Sequence, residues 1–218
     1  MNLYVVVEGE CEKTIYAKWI PLVKPTLTQV ADLSGLVKDN FFIVSGGGFP
    51  RYYSVIENAI ADINEANNID RLVIAIDSED QDYEEKYNEV MEFVSQFGCE
   101  KQIFIVVQHF CLEAWALGNR TMLRRNTSNP RLREYLRCFD VTKADPELLP
   151  PYPLDDLNRA QFAERYLRTM INDRYTSLTY SKRNPTILAQ SGYFLQVKNR
   201  FLETNHLRSF KGFLDAFI

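Results

Sequence analysis

The sequence has few of the residues that cross-link a chain or ligate a soft metal. It contains four cysteines with no CxxC pair, and its two histidines lie far apart, so neither a disulfide framework nor a zinc site is indicated. No run approaches about 18 consecutive apolar residues, and the first residues lack the basic stretch and apolar core of a signal peptide. These absences predict a reduced, cytoplasmic protein with no membrane partner.

Charge is present in ordinary amount but is unevenly distributed. The net charge is −4, yet residues 1–100 carry 7 basic and 18 acidic side chains, whereas residues 101–218 carry 18 basic and 11 acidic ones. An acidic cluster beside a basic surface is typical of a metal-dependent enzyme that acts on a polyphosphate. It would equally suit a protein whose halves attract each other, or attract a partner, through opposite charge.

Continuous apolar runs alternate with amphipathic stretches in the first half of the chain. The runs at Leu3–Val7, 41–44, 72–76 and 103–107 are typical of strands buried on both faces. The stretches 14–23, 52–66 and 82–97 have helical periodicity. We therefore expect an α/β domain over residues 1–110, with a mainly parallel four-stranded sheet flanked by helices. Residues 111–218 are expected to form a mostly helical, Arg/Lys-rich extension, beginning with a helix over 111–123.

Carboxylates follow the first and third of these predicted strands. Glu8 comes directly after the first strand, and Asp77, Glu79 and Asp80 follow the third. Ligands bind beyond the carboxyl ends of the strands in an open α/β sheet, and clustered carboxylates attract hard cations such as Mg²⁺ or Mn²⁺. Glu8 could instead balance a helix dipole, and Asp77 could be an ordinary helix cap.

The residues at these strand ends resemble the signature of a TOPRIM domain, which has a Rossmann-like fold. Glu8-Gly9 matches the Glu-Gly after the first strand of that domain, and Asp77 matches the start of its Asp-x-Asp motif, with Glu79 or Asp80 in place of the second aspartate. The closer similarity is to small TOPRIM-like proteins related to the overcoming-lysogenization-defect nucleases. The resemblance covers about residues 1–120.

The resemblance also implies further site residues and a biological setting. Small proteins of this kind carry a Glu matched by Glu12, and a Phe-Glu-x-Trp-Leu-like helix resembled by the segment that contains Glu113. Some are encoded beside ABC-type ATPases, which implies such a partner and a role in prokaryotic (phage) defence. Glu113 could alternatively be a first-turn acid of a helix. We treat Lys182 as a candidate for stabilising charge in a transition state.

Two basic regions are candidates for contact with nucleic acid. Ser45-Gly-Gly-Gly48 precedes Arg51, and its backbone N–H groups could hold a phosphate, although the Lys-Ser/Thr of a P-loop is missing. Six arginines lie within residues 120–137, among them Arg120, Arg124 and Arg125, and guanidinium groups suit phosphate recognition. Lys182 and Arg183, beside Tyr180, form a second basic and aromatic spot that would pair with phosphates and stack on bases.

The sequence thus favours a Mg²⁺-dependent nuclease that acts on DNA or RNA. A metal-activated water is the simplest nucleophile, because no Ser or Cys nucleophile with its base is recognisable. Two alternatives remain open at this point. One is a non-catalytic TOPRIM-like scaffold or binding subunit, and the other is a metal-dependent phosphatase that acts on a small phosphate ester.

Overall fold

All four predicted apolar runs are strands of one sheet, and a short fifth strand joins them. In this computed structural model, which describes residues 1–124, 126–175 and 177–218, the strands are β1 (Leu3–Val7), β2 (Thr28–Gln29), β3 (Asn40–Ser45), β4 (Arg71–Asp77) and β5 (Gln102–Gln108). The α/β prediction is confirmed with one more strand than expected. The additional strand, β2, escaped prediction because its two residues are exposed and carry no apolar pattern.

The strand order places β1 and β4 side by side in the middle of the sheet. The order is β2-β3-β1-β4-β5, and the pairs β2–β3, β3–β1 and β1–β4 are parallel. From β1 the chain adds β3 on one side and later β4 on the other. This reversal defines a topological switch point between β1 and β4, where α/β sheets bind ligands.

Helices cover the predicted stretches 14–23, 52–66 and 82–97 to within a few residues, with one exception among the bounded helix predictions, and further helices form the expected helical extension. They are α1 (Glu10–Val23), α2 (Arg51–Glu65), α3 (Tyr83–Ser95), α4 (Leu112–Ala116), α5 (Pro130–Cys138), α6 (Arg159–Arg174), α7 (Ser191–Thr204) and α8 (Phe210–Ala216). Across the described part of the chain, none of these helices combines the length and apolar character needed to span a bilayer.

The exception is the helix expected over 111–123, which is wrong in its extent. Helix α4 ends at Ala116, and a separate 3₁₀ turn covers Arg120–Met122. Asn119 causes the break, because its side-chain oxygen accepts hydrogen bonds from the backbone N–H and the hydroxyl of Thr121, at 3.1 and 2.7 Å. Such local bonds compete with the helical ladder and start a new turn.

Contacts between Cα atoms divide the chain into two compact units. The first comprises Met1–Ile76, Asp82–Val107 and Gly212–Ile218, and the second comprises Asp77–Gln81 and Gln108–Lys211. The division passes through β4 and β5, so the last residue of each of these sheet strands is grouped with the second unit.

The core of the first unit explains why β1 and β4 are fixed so firmly. All five residues of β1 and the last six of β4 are buried. The apolar stripe of α2, which includes Ile56, Ile60 and Ile63, packs in the same cluster as side chains of β1 and β4. Each fully buried side chain of this size stabilises the fold by about 1.5–3 kcal/mol, so the ends of these strands are held in place.

The second unit is held together partly by buried polar groups. Arg200, 1% exposed, donates hydrogen bonds to the carbonyls of Val141, Thr142 and Ala144 and to Nδ1 of His206. These acceptors satisfy a charged group that would otherwise be costly to bury.

Glu147 is the buried acid of this unit. Its carboxylate accepts hydrogen bonds from the hydroxyl and the backbone N–H of Ser209 and from the indole N–H of Trp115. Although these donors favour the charged form, burial dominates and raises the pKa of Glu147 from 4.5 to about 7.

The raised pKa of Glu147 predicts a pH-dependent stability. Between pH 4.5 and 7 the folded chain holds a proton that the unfolded chain releases, so the free energy of unfolding falls as pH rises. We expect Glu147 to account for a loss of up to about 3 kcal/mol over this range. Urea unfolding at several pH values should show a flatter profile for Glu147→Gln. The exposed control Glu57→Gln should follow the wild type, and identical slopes for all three proteins would contradict the assignment.

Candidate metal centre

The sheet brings Glu8 and Asp77 to the same edge. Val7, the last residue of β1, pairs with Ala75 of β4. Asp77, the last residue of β4, is therefore only one position further along the sheet than Glu8. Glu8 follows β1 directly, and Asp77 is the final residue of β4. The parallel register therefore brings the two acidic residues to the same edge of the sheet, at the switch point.

Glu79 joins these two residues to form a cluster of three carboxylates. One oxygen from each of Glu8, Asp77 and Glu79 lies within 4.8 Å of the other two. Asp77 is 3% exposed, Glu8 is half-buried, and Glu79 is exposed. Carboxylates at this separation repel one another strongly, and a shared cation removes the repulsion.

The turn after β4 explains why Glu79 is in the cluster. Glu79 has a left-handed backbone (φ 53°), and its N–H donates to the carbonyl of Phe110, itself left-handed (φ 64°), at 2.9 Å. Left-handed conformations cost non-glycine residues on the order of 1–3 kcal/mol each. Ser78 holds the turn, since its hydroxyl accepts from the N–H of Phe110 at 2.9 Å and pairs with Nδ1 of His109 at 3.2 Å.

Asp80 was the other candidate for this position. It is exposed, and the acidic cluster found among the described residues comprises Glu8, Asp77 and Glu79 without it. The geometry therefore favours Glu79 as the third carboxylate.

Gln108 supports Asp77 from the end of β5. Its side-chain amide donates to Oδ1 of Asp77 at 2.9 Å, and Gln108 is fully buried. Ligating carboxylates are commonly oriented by such neighbours. The sequence analysis missed Gln108, although a polar residue at the end of an apolar strand at this edge was a usable signal.

Glu113 lies in α4 and is almost completely buried at 1% exposure. Its Oε1 accepts a 2.5 Å hydrogen bond from the hydroxyl of Tyr180, whereas its buried Oε2 has no hydrogen-bond partner. Tyr180 is likewise 1% exposed. The expectation that Tyr180 stacks on bases is wrong, because its ring is buried and its hydroxyl orients Glu113 instead.

The pKa of the buried Cys111 thiol is shifted by the charges of other site residues. Burial raises the pKa of Cys111, and the nearby charges of Glu113 and Asp77 raise it further, whereas Lys182 acts in the opposite direction. The charges of Asp77, Glu113 and Lys182 therefore all act on this buried thiol, and Lys182 itself is exposed. This thiol is held in its protonated, unreactive form, which argues against a cysteine nucleophile.

Glu12 is buried beside Gly9 rather than in the carboxylate cluster. Its exposed fraction is 4%, and a Cβ on Gly9 would approach Oε2 of Glu12 to 2.9 Å. Gly9 has an extended backbone (φ −139°) that any residue can adopt, so glycine serves here by leaving space for Glu12.

The glycine-rich loop after β3 does not offer free N–H groups for a phosphate. The N–H of Gly46 donates to the carbonyl of Val7 at 2.7 Å, that of Gly47 donates to the hydroxyl of Ser45, and that of Gly48 donates to the carbonyl of Glu8 at 3.0 Å. The phosphate-cradle expectation is therefore wrong for these groups. Arg51, at the start of α2, is exposed.

Two of the predicted arginines line a surface groove of about 800 Å³ in the second unit. Its described lining includes Arg120, Arg124 and Arg174, with Asn126 and Ser128, and contains no acidic residue. Arg120 also pairs with Glu203 at 2.9 Å, and Arg124 donates to the carbonyl of Asp173 at 3.2 Å. Arg174 was missed because it is distant in sequence. Arg183 is exposed, and Arg125 lies outside the described residues.

The oxygen atoms at the sheet edge fit a hard divalent cation. Two oxygens bound to one Mg²⁺ at about 2.1 Å are at most about 4.2 Å apart, so the observed spacing would need only small side-chain rotations. Oε1 of Gln108, the residue that holds Asp77, lacks a hydrogen-bond partner among the described residues, as do Oε2 of Glu113 and buried oxygens elsewhere, among them the hydroxyls of Tyr52 and Tyr152. Glu8, Asp77 and Glu79 are the residues that would hold Mg²⁺ or Mn²⁺.

Comparisons with known proteins give no independent assignment, since no family model, curated protein or solved structure matches the chain.

The cluster predicts a specific response of thermal stability to metal. Mg²⁺ or Mn²⁺ at about 100 times its dissociation constant should stabilise the fold by about 2.7 kcal/mol and raise Tm. Glu8→Gln, Asp77→Asn and Glu79→Gln should each abolish this rise.

Asp80→Asn is the matched control for these variants, and scanning calorimetry is the measurement. We expect Asp80→Asn to keep the metal-dependent rise. A rise that survives Glu79→Gln but disappears with Asp80→Asn would assign the third ligand to Asp80.

Proposed function

We propose that the chain is a metal-dependent nuclease that hydrolyses phosphodiester bonds in DNA or RNA. The observation that carries the proposal is the convergence of Glu8, Asp77 and Glu79 at the switch point of the sheet. Such a carboxylate set suits Mg²⁺ or Mn²⁺, ions that commonly bind through one or two carboxylates together with the phosphates of a substrate. When bound, the ion would polarise a phosphoryl oxygen and lower the pKa of a water molecule.

The side chains around the carboxylates have distinct roles in this proposal. Gln108 fixes the orientation of Asp77 through its hydrogen bond. Tyr180 holds Glu113, which leaves the second oxygen of that carboxylate able to accept a proton or a further ligand. Lys182 is exposed, and its charge acts on the thiol of Cys111 in the opposite direction to the charges of Asp77 and Glu113; in this proposal it would stabilise the negative charge of a phosphoryl transition state.

A nucleic acid is the substrate that best matches the remaining charge. Residues 101–218 carry 18 basic and 11 acidic side chains, and the groove at Arg120, Arg124 and Arg174 has no acid in its described lining. Guanidinium groups bind phosphates through paired hydrogen bonds. A polymer with many phosphates would use such a groove, whereas a small phosphate ester would have no need of it.

The TOPRIM resemblance supports the same proposal. An ABC-type ATPase partner and a role in prokaryotic defence belong to it as well, and they rest on the resemblance alone. The sheet order is consistent with a Rossmann-like arrangement, because the acidic residues lie where such sheets bind ligands.

A cleavage assay tests the proposed activity directly. We expect labelled DNA or RNA to be cut in Mg²⁺ or Mn²⁺ and to stay intact in EDTA. Asp77→Asn and Glu8→Gln should each lower the rate by at least about 100-fold, since removing a group that stabilises transition-state charge costs that much. Glu10→Gln, an exposed neighbour in the first turn of α1, is the matched control.

The same assay separates the alternatives. Hydrolysis of p-nitrophenyl phosphate without cleavage of any nucleic acid would replace the nuclease by a small-ester phosphatase. Absence of both activities, with no metal-dependent rise in Tm, would favour a non-catalytic scaffold.

The arginine groove predicts a change in the salt dependence of binding. Each phosphate contact that is lost should reduce the slope of log K against log salt by about 0.7 for a single strand and 0.9 for a duplex. Arg174→Gln should show this change in fluorescence anisotropy titrations performed in EDTA. Arg208→Gln, which removes the same charge from an exposed position outside the groove lining, should keep the wild-type slope. Equal slopes for both variants would exclude the groove.

A further inference from the structure

One aromatic side chain among the described residues differs from the rest in its exposure to solvent. The sequence has 14 Phe, 12 Tyr and 2 Trp, and within residues 1–124, 126–175 and 177–218 Phe49 is the only exposed aromatic residue, at 78%. Scattered aliphatic residues on a surface need no explanation, and this chain has several. Among the aromatic rings of the described residues, that of Phe49 is therefore the one most open to a ligand from solvent.

Phe49 belongs to the loop that is attached to the segment carrying Glu8. Gly46 donates to the carbonyl of Val7, and Gly48, the residue before Phe49, donates to the carbonyl of Glu8 itself at 3.0 Å. Gly47 and Gly48 have left-handed backbones (φ 74° and 81°) that favour glycine, so the tight path of the loop depends on them. The residue before Phe49 is therefore hydrogen-bonded to the backbone of a proposed metal ligand.

Neighbouring contacts hold the ring without covering it. Phe49 meets Tyr53 in a T-shaped arrangement with ring centroids 6.3 Å apart. The Tyr53 hydroxyl donates to Glu89, and Glu89 pairs with Lys86 at 3.0 Å. Phe49 is thus supported from α2 while most of its surface faces water. A ring preorganised in this way loses little conformational entropy when a planar ligand binds.

A positive charge lies two residues further along the chain. Arg51, the first residue of α2, is exposed. An aromatic ring and an exposed guanidinium two residues apart in the chain suit one nucleotide, because the base can stack while the phosphate pairs with the cation. The same loop is bonded to Glu8, so that nucleotide would adjoin the metal-dependent site.

We infer that Phe49 is a stacking platform for an unpaired nucleobase, and that the substrate is a single strand, or a single-stranded segment, of DNA or RNA. The inference rests on the proposed nuclease function and specifies its substrate. In a duplex both faces of each base are already stacked, whereas a single strand can place a base on a protein ring. Arg51 contacts a phosphate of the same strand.

Fluorescence anisotropy with labelled oligonucleotides tests the inference in EDTA, where metal-dependent cleavage does not proceed. Four probes are compared at one salt concentration, namely single-stranded DNA, the same strand with abasic sites, single-stranded RNA and duplex DNA. Phe49→Leu should weaken binding of the intact single strands by about 5- to 100-fold. Phe49→Trp should restore it, because the aromatic face is retained.

Two controls separate stacking from other causes. Val37→Ala removes an 81% exposed apolar side chain elsewhere in the same unit and should leave binding unchanged. Wild type and Phe49→Leu should bind the abasic strand equally, since it offers phosphates but no base. If the protein binds one of the two single strands more tightly, that difference in affinity shows whether the stacked base belongs to DNA or to RNA.

Several results would overturn the inference. Three results contradict it: Phe49→Leu binds the single strands with wild-type affinity, Phe49→Leu loses as much affinity for the abasic strand or the duplex as for the intact single strands, or the protein binds no single strand at all.

Unchanged oligonucleotide binding together with loss of self-association would show instead that Phe49 contacts protein. If Phe49→Leu does not change Mg²⁺-dependent cleavage, the nuclease proposal is supported and the stacking platform is contradicted. Phe49-dependent binding without any cleavage would leave the platform standing without the nuclease.

Discussion

The repulsion among three carboxylates at one edge of the sheet is the constraint on which the rest of the site depends. Glu8 and Asp77 cannot move apart, because the strands that carry them are buried and paired in a fixed parallel register. Glu79 is added by a turn with a left-handed backbone. A divalent cation bound among these oxygens would reduce the repulsion, and this is the cofactor that we propose for the site.

The polar groups behind the carboxylates support the same interpretation. Gln108 binds Asp77, Tyr180 binds Glu113, and each of the two acceptors Gln108 Oε1 and Glu113 Oε2 is buried without a hydrogen-bond partner. Buried acceptors without a partner are few in native proteins, and a bound ion or water is one of the explanations for them. The ring of Phe49 is exposed, so it does not contribute the stabilisation that a buried aromatic ring would give. It lies on a loop that is hydrogen-bonded to Glu8.

Hydrophobic periodicity and the residues at strand ends predicted the sheet and the position of part of the site. The apolar runs located the four main strands, and parallel pairing then implied that Glu8 and Asp77 share an edge. It did not decide between Glu79 and Asp80, because that choice depends on the backbone of one turn. Long-range partners such as Tyr180 and Glu113, separated by 67 residues, leave no local pattern. The glycine loop was misread because its N–H groups bond to β1 and its own Ser45.

Anomalous X-ray scattering from crystals soaked in Mn²⁺ tests the central claim most directly. Our account predicts a peak among Glu8, Asp77 and Glu79, with one oxygen of each about 2.0–2.3 Å from the ion and with Asp80 outside its coordination shell. A soaked crystal with no peak at this edge, or with either Glu8 or Asp77 paired to a basic side chain in place of the ion, would contradict it.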